Sequence, residues 1–285
     1  MMEDFAVFIC THGRPDRQLT WNMLKSAGYT GKLYLVLDDT DTTIQRYIDN
    51  YGSDNVIVFD KNHYINSCDT GDNVGHYACI LYAKNAVEDI ARSFGLSAFL
   101  VVDDDITGLR YRYNDDGVIR SVRIKQDLDS VLDSYVEYML STNIACLGFA
   151  GCSVFFSGSS AFEGDRIQRY RYPYQICLRN TLYSVNWTSW YGEDTITLLL
   201  HGIRGQFWFF PPFIQYDTIM VGDTTKDGGM NEVYVNNSSF LLNFIKFRSC
   251  PTQLRMILYH GKFLASIVDK TAYPKLISGD YKKGV

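Results

Sequence analysis

The sequence has seven cysteines, yet no CxxC pair and no Cys/His spacing of the kind that holds zinc. An odd, scattered set of thiols suits a reducing compartment. The N-terminal "MMEDFAVFIC" carries acids where a secretory leader wants basic residues. No apolar run approaches the length of a membrane span. There is no internal repeat, no low-complexity stretch and no obvious linker. An excess of positive charge is also missing. The formal net charge is −5, which disfavours a protein that coats nucleic acid non-specifically. These absences predict a soluble cytoplasmic protein with no membrane partner. Its 285 residues form one continuous domain with a sizeable core.

Aromatic residues, in contrast, are plentiful at 15% of the chain. Most belong to the core of a large domain. The rest could offer stacking surfaces to sugars or bases.

The first hundred residues alternate between two periodicities. "FAVFIC", "KLYLVL", "NVIVF" and "SAFLVV" are short apolar runs that predict buried strands. Between them, "DRQLTWNMLKSAGY" predicts a helix with Asp16 near its start and Gly28 near its end. "DTTIQRYIDNYG" predicts a second helix capped by Asp41. "GDNVGHYACILYAKNAVEDIARSFG" has apolar residues at helical spacing. Strands apolar on both faces, alternating with helices, imply an α/β fold with a mostly parallel central sheet flanked by helices. Past Asp105 the pattern becomes a mixed α/β half. "GVIRSVRI" reads as a strand or hairpin arm, and "DLDSVLDSYVEYML" as a helix. "CSVFF", "YQICLRN" and "GQFWFF" read as strands, and "GEDTITLLLHGI" and "FLLNFIKF" as helices. The last 35 or so residues carry no assignable pattern. Residues 1–110 would bind a nucleotide and residues 111–285 an acceptor.

In parallel α/β sheets, ligands bind beyond the carboxyl ends of the strands. Three predicted strands end in polar clusters: "THGRPDR", Asp38–Asp39 and Asp103–Asp104–Asp105. Three adjacent carboxylates repel one another and need a positive partner. Strand alternation sends Asp103 and Asp105 to one side and Asp104 elsewhere, provided the chain stays extended. Two aligned carboxylates suit Mg²⁺ or Mn²⁺, which would also bridge the phosphates of a nucleotide. The competing reading is a solvated acidic turn.

The apolar strand ending in "VVDDD" resembles the GT-A fold of nucleotide-sugar glycosyltransferases, with Asp103, Asp104 and Asp105 as its DxD motif. "VFICTHGRP", "LVLDD", "GHYACILYAKNAV" and "WYGEDT" follow in the order of that fold. Within it, the chain is most similar to the phage-type enzymes that glycosylate hydroxymethylated pyrimidines in DNA, relatives of the base J glucosyltransferase. The resemblance spans roughly residues 5–200. It implies a UDP-sugar donor held by Thr11, His12, Arg14, Asp39, Lys84, Asp103 and Asp104, with Asp103 and Asp105 on the metal. It implies Asp194 as the base that deprotonates the acceptor hydroxyl, with Glu193 orienting the acceptor.

Each role has a plainer alternative. Arg14 could pair with Asp16, Asp39 could cap a helix, and Lys84 could be an exposed helix lysine. Glu193 and Asp194 could serve only as a favourable acidic helix start. Trp187 and Trp190 could stack on an acceptor or sit in the core. His201 and His260 are late candidates for a third metal ligand. Lys226 in "TTKDGGM" could touch diphosphate. Arg110, Arg112, Arg120, Arg123 and Lys125, with Arg166, Arg169 and Arg171, could guide acceptor phosphates. The expected reaction is transfer of glucose or a pentose such as arabinose onto 5-hydroxymethylcytosine or a related base in DNA. The alternatives are a cell-surface glycan acceptor or a sugar nucleotidyltransferase. The latter wants a glycine-rich loop, whereas "THGRPDR" has one glycine.

Overall fold

The computed structural model describes residues 3–72, 79–142, 144–152, 154–155, 162, 175–219 and 237–268. Four parallel strands, β1 (Phe5–Cys10), β2 (Lys32–Asp38), β3 (Val56–Phe59) and β4 (Ala98–Asp103), lie in the order β3-β2-β1-β4. The sheet continues with β8 (Ile176–Asn180), β7 (Cys146–Gly148) and β9 (Trp208–Phe209). β8 is antiparallel to both β4 and β7. One seven-stranded sheet therefore runs through both halves of the chain, as the expected mostly parallel α/β class requires.

Alternation along the buried strands separates two cores. Val7, Ile9, Leu35, Leu100 and Val102 face one layer, where α1 (Leu19–Ser26) and α5 (Leu128–Ser141) contribute Leu24 and Leu132. Ala6, Phe8, Val36, Phe99 and Val101 face the other, where α4 (Leu81–Ser93) contributes Leu81, Tyr82 and Val87. Burial on both faces explains why these strands read as unbroken apolar runs.

Beyond β4 the chain forms a second sheet in the order β10-β5-β6, from β5 (Ile106–Asp115), β6 (Val118–Arg123) and β10 (Ile214–Thr218). The helix α6 (Glu193–Gly202) follows the "WYGED" turn. Last come α7 (Ser239–Ser249) and a hairpin of β11 (Leu254–Tyr259) and β12 (Lys262–Ile267).

Several expectations need correction. Asp16 lies near the start of α1, as expected, but Gln18 is the residue before its first, Leu19. Arg46 draws the Asp16 carboxylate to α2 (Ile44–Tyr51) instead. Asp41 does not cap α2. Its carboxylate accepts from the backbone N–H groups of Gly13 and Thr43, tying that turn to the first loop. Of the strand expected at "CSVFF", residues 153 and 156 lie outside the described residues and Cys152, Val154 and Phe155 are not in a strand; the described strand before it is Cys146–Gly148. The helix α3 (Lys61–Ser67) was not foreseen, because it is short and buries none of its residues. The unassigned C-terminal stretch contains the β11–β12 hairpin, whose alternation is blurred by apolar residues on both faces.

Candidate active site

The carboxyl ends of β1, β2 and β4 share one edge of the sheet, and the loops there are bonded to one another. Thr11 donates its hydroxyl to Asp104 Oδ2 (2.7 Å), and Arg14 Nη1 donates to Asp104 Oδ1 (2.8 Å). Gln18 Nε2 donates to both Thr11 Oγ1 (2.8 Å) and the Arg14 carbonyl (3.0 Å). The buried Tyr47 hydroxyl accepts from the Arg14 N–H at 2.7 Å and lies 3.0 Å from Thr11 Oγ1. The first loop is thus clamped onto the middle carboxylate of the acidic triplet. Arg14 pairs with Asp104, not with Asp16.

β4 ends at Asp103, and Asp104 and Asp105 form the turn into β5. The alternation that was to align Asp103 with Asp105 therefore stops before it reaches Asp105. Asp104 does point away, towards Arg14. Burial, opposed in part by Arg14, pushes the Asp104 carboxyl up. Asp103 is pushed up more strongly by burial and by Asp105 and Asp104, against the attraction of Lys84. Asp105 Oδ1 accepts a long bond from Gln175 Nε2 at 3.4 Å.

At the end of β2, the notable carboxylate is Asp38. It accepts from His12 Nδ1 at 3.0 Å and lies 3.4 Å from Lys61 Nζ. Burial would raise the Asp38 carboxyl. Hydrogen bonds from His12 and Thr40 and the charge of Lys61 instead hold it well below the usual carboxylate range. The same hydrogen bond raises His12 above its ordinary value, although partial burial opposes it. Asp39, expected in the donor site, is exposed and accepts from the Lys61 N–H at the start of α3. The capping alternative placed Asp39 on the helix beginning near Asp41, but its bond reaches α3, whose N-cap is Asp60.

Lys84 is only 3% exposed. Its Nζ donates to Glu193 Oε1 at 2.8 Å and lies 4.7 Å from the centre of the Trp187 ring. It is neither an exposed helix lysine nor turned outward to solvent. Burial would lower its pKa, but Glu193, Asp103 and Asp194 together raise it. Glu193 thus pairs directly with one buried ammonium, and the charges of Asp103 and Asp194 act on it from farther off.

Gly192 precedes α6 with φ +70°, a left-handed conformation costly for other residues. A Cβ there would fall 2.2 Å from Lys246 Cε, so the Lys246 stem lies directly on this turn. Asp194, buried in the first turn, accepts from the Thr195 N–H at 2.6 Å. Trp187 and Trp190 are core residues. Trp187 packs edge-on to Trp208, and Trp190 Nε1 donates to Asp72 at 2.6 Å.

Sequence reasoning missed Tyr216, on β10. Its hydroxyl is buried, and the neighbouring charges of Asp103, Asp194 and Asp105 push its pKa up further. From β10 it lies within electrostatic reach of both the acidic triplet and Asp194 at the start of α6. Asp38 and Tyr47 were missed too. Asp38 was legible, since it lies within β2 while Asp39 lies beyond it.

The late histidines do not join this group. His201 stacks on Trp208, and burial with the nearby Arg179 lowers its pKa to about 4. His260 lies in the turn of the β11–β12 hairpin. Among the described residues, no three His, Cys, Asp or Glu side chains form a ready metal cluster. Of the arginines past the triplet, Arg110 pairs with Asp217 and Arg120 with Asp115. Arg112 donates to Gln215, and Arg123 donates to the Thr107 carbonyl. Arg166, Arg169, Arg171 and Lys226 lie outside the described residues.

The sequence profile of TET-associated glycosyltransferases matches residues 5–227, which include every group at this edge. The chain belongs to the TET-associated glycosyltransferase family. None of the curated proteins compared with it matches. Among solved structures, it is similar to residues 1–349 of S. aureus TarS in complex with UDP-GlcNAc. The identity is 13% and the TM-score 0.44, over 85% of this chain and 66% of that one. It is also similar to glucosyl-3-phosphoglycerate synthase from Mycobacterium tuberculosis in complex with Mn²⁺, UDP and phosphoglyceric acid. That likeness has 9% identity and a TM-score of 0.46, over 93% and 86% of the two chains. The chain spans just under two thirds of the first TarS structure and 36% of a longer one. No helix among the described residues is long and apolar enough to cross a membrane.

Proposed function

We propose that this family member transfers a sugar from a UDP-sugar to the hydroxymethyl group of 5-hydroxymethylcytosine, or a related modified pyrimidine, in phage DNA. The observation that carries this reading is the 2.8 Å bond of buried Lys84 to Glu193, with the charges of Asp103 and Asp194 close enough to act on the same ammonium. A donor edge and an acceptor-side helix start share one internal charge. The family match supports sugar transfer, and the TET association supports a modified base as acceptor.

In this mechanism the nucleotide lies over the ends of β1 and β2. Arg14 is held by Asp104, so its placement is fixed before the donor arrives. His12, whose protonated form Asp38 favours, and Lys61 lie beside Asp38, which keeps them where a nucleotide's negative charge could meet them. Asp194 accepts the proton of the acceptor hydroxyl, while Glu193 is oriented by Lys84.

The residues fit a divalent cation. Asp103 and Asp105 offer hard oxygen donors, while Asp104 is engaged by Arg14 and Thr11. Mg²⁺ and Mn²⁺ accept one or two carboxylates with phosphate oxygens completing the shell. Such an ion would neutralise charge developing on the diphosphate leaving group.

The test is incubation with a panel of UDP-sugars, with and without Mn²⁺, and a duplex containing 5-hydroxymethylcytosine. The expected result is a nucleoside heavier by one sugar. UDP release to a glycan acceptor, with no mass change in the DNA, would overturn the reading.

A further inference from the structure

The family match ends at residue 227, while α7 and the β11–β12 hairpin lie beyond it. Residues 237–268 contain four Lys or Arg and no Asp or Glu, in a chain of net charge −5. Lys246 lies on the Gly192 turn and Arg248 donates to the Gly71 carbonyl, which leaves Arg255 and Lys262 as the basic residues of the exposed hairpin.

The hairpin has two different faces. Its six residue pairs run from Leu254↔Ile267 to Tyr259↔Lys262 without a bulge. On the inner face, Leu254 and Ile267 pack with Ile196 and Leu199 of α6, just after Asp194. Alternation then places Arg255, Tyr259, Lys262 and Leu264 on the outer face, and all four are exposed. The turn residues His260 and Gly261 have φ of +46° and +75°. Two positive φ values mark the tight turn that keeps the ribbon twisted and its tip narrow.

We propose that the outer face of this hairpin docks the DNA acceptor by lying in the major groove; this rests on the DNA reading above. The major groove of B-DNA admits a two-stranded ribbon, and the 5-position of a pyrimidine faces that groove. Arg255 and Lys262 would meet phosphates. The inner face rests on α7, through Phe240 against Phe263 and Asn243 accepting from the Ala265 N–H, and its Leu254–Ile267 end meets α6, which would set the distance between the groove and Asp194. Charge complementarity selects this occupant over a second copy of the chain, whose net charge is negative but whose matching hairpin face would be positive.

The test uses full-length protein and a 5-hydroxymethylcytosine duplex, with fluorescence anisotropy read between roughly 50 and 200 mM salt. Arg255→Ala/Lys262→Ala should weaken binding and make the slope of log K against log salt shallower by about 1.8, as two lost phosphate contacts require. The melting temperature should hold, since both side chains are exposed. Wild-type binding with unchanged affinity and slope in the variant overturns the docking surface and leaves the DNA acceptor standing. Binding confined to single strands also overturns it. A wild type that binds no DNA and glycosylates something else overturns both readings. A wild-type dimer that the variant abolishes, with DNA affinity unchanged, assigns the face to a second copy instead.

Discussion

Lys84 Nζ and Glu193 Oε1 are 2.8 Å apart in space and 109 residues apart in sequence. The bond joins the helix that leads into the acidic triplet to the helix that begins with the acceptor-side pair. Removing one partner strands the other in a poorly solvated place. Lys84→Met should therefore cost about 3–5 kcal/mol, measured by urea unfolding. Adding Glu193→Met should restore part of that loss. Full stability in the single variant would show that the pair is dispensable.

Asp194→Asn separates chemistry from capping. The amide oxygen can still accept from the Thr195 N–H, so the melting temperature should stay near wild type. An amide cannot take a proton from the acceptor, so kcat should fall by about 10²–10⁴-fold with donor binding nearly intact. Both are read on one preparation. A stable and fully active variant removes Asp194 from the mechanism.

The three aspartates of the triplet should respond differently. Asp105→Ala should abolish Mn²⁺-dependent UDP affinity in calorimetry while melting close to wild type. Asp104→Ala should instead lower the melting temperature, because Arg14 and Thr11 lose their shared acceptor. EDTA should mimic Asp105→Ala and leave the melting of Asp104→Ala where it is. Equal metal-dependent affinity in Asp105→Ala and wild type would remove Asp105 from the ion.

His12 titrates above its ordinary value of 6.5 because Asp38 accepts its hydrogen bond. The folded state therefore gains stability from protonated His12 below pH 6.5, and loses it as pH rises through the higher folded value. Asp38→Asn should move the His12 midpoint down, read from its imidazole proton shifts by NMR. An unmoved midpoint would mean that the pair is not linked in solution.

The first hundred residues were legible because their strands are buried on both faces and their helices keep helical spacing. Asp103, Asp104 and Asp105 stood out for the same reason, as charges ending an apolar run. Partners were harder to read. No local pattern says that Arg14 reaches Asp104 across 90 residues, or that Lys84 is buried. Asp39 looked equivalent to Asp38 until the end of β2 separated them. Tyr216 gave no signal, because β10 joins β5 only in three dimensions. The C-terminal hairpin has apolar residues on both faces, which hides a period of two.

The bonds that cross between the two halves also set an order of assembly on the ribosome. The four parallel strands emerge first, and they bring Lys84 and Glu88 with them. Glu88 finds its partner only when Arg179 arrives on β8, at 2.8 Å, and Lys84 only when Glu193 follows. A nascent chain halted before residue 176 would carry both charges without their final counterions, and β4 without its outer neighbour. The first hundred residues should remain loose and open to proteases until β8 and α6 are made, so the loop edge of β1, β2 and β4 and the turn into α6 would be completed in one late step.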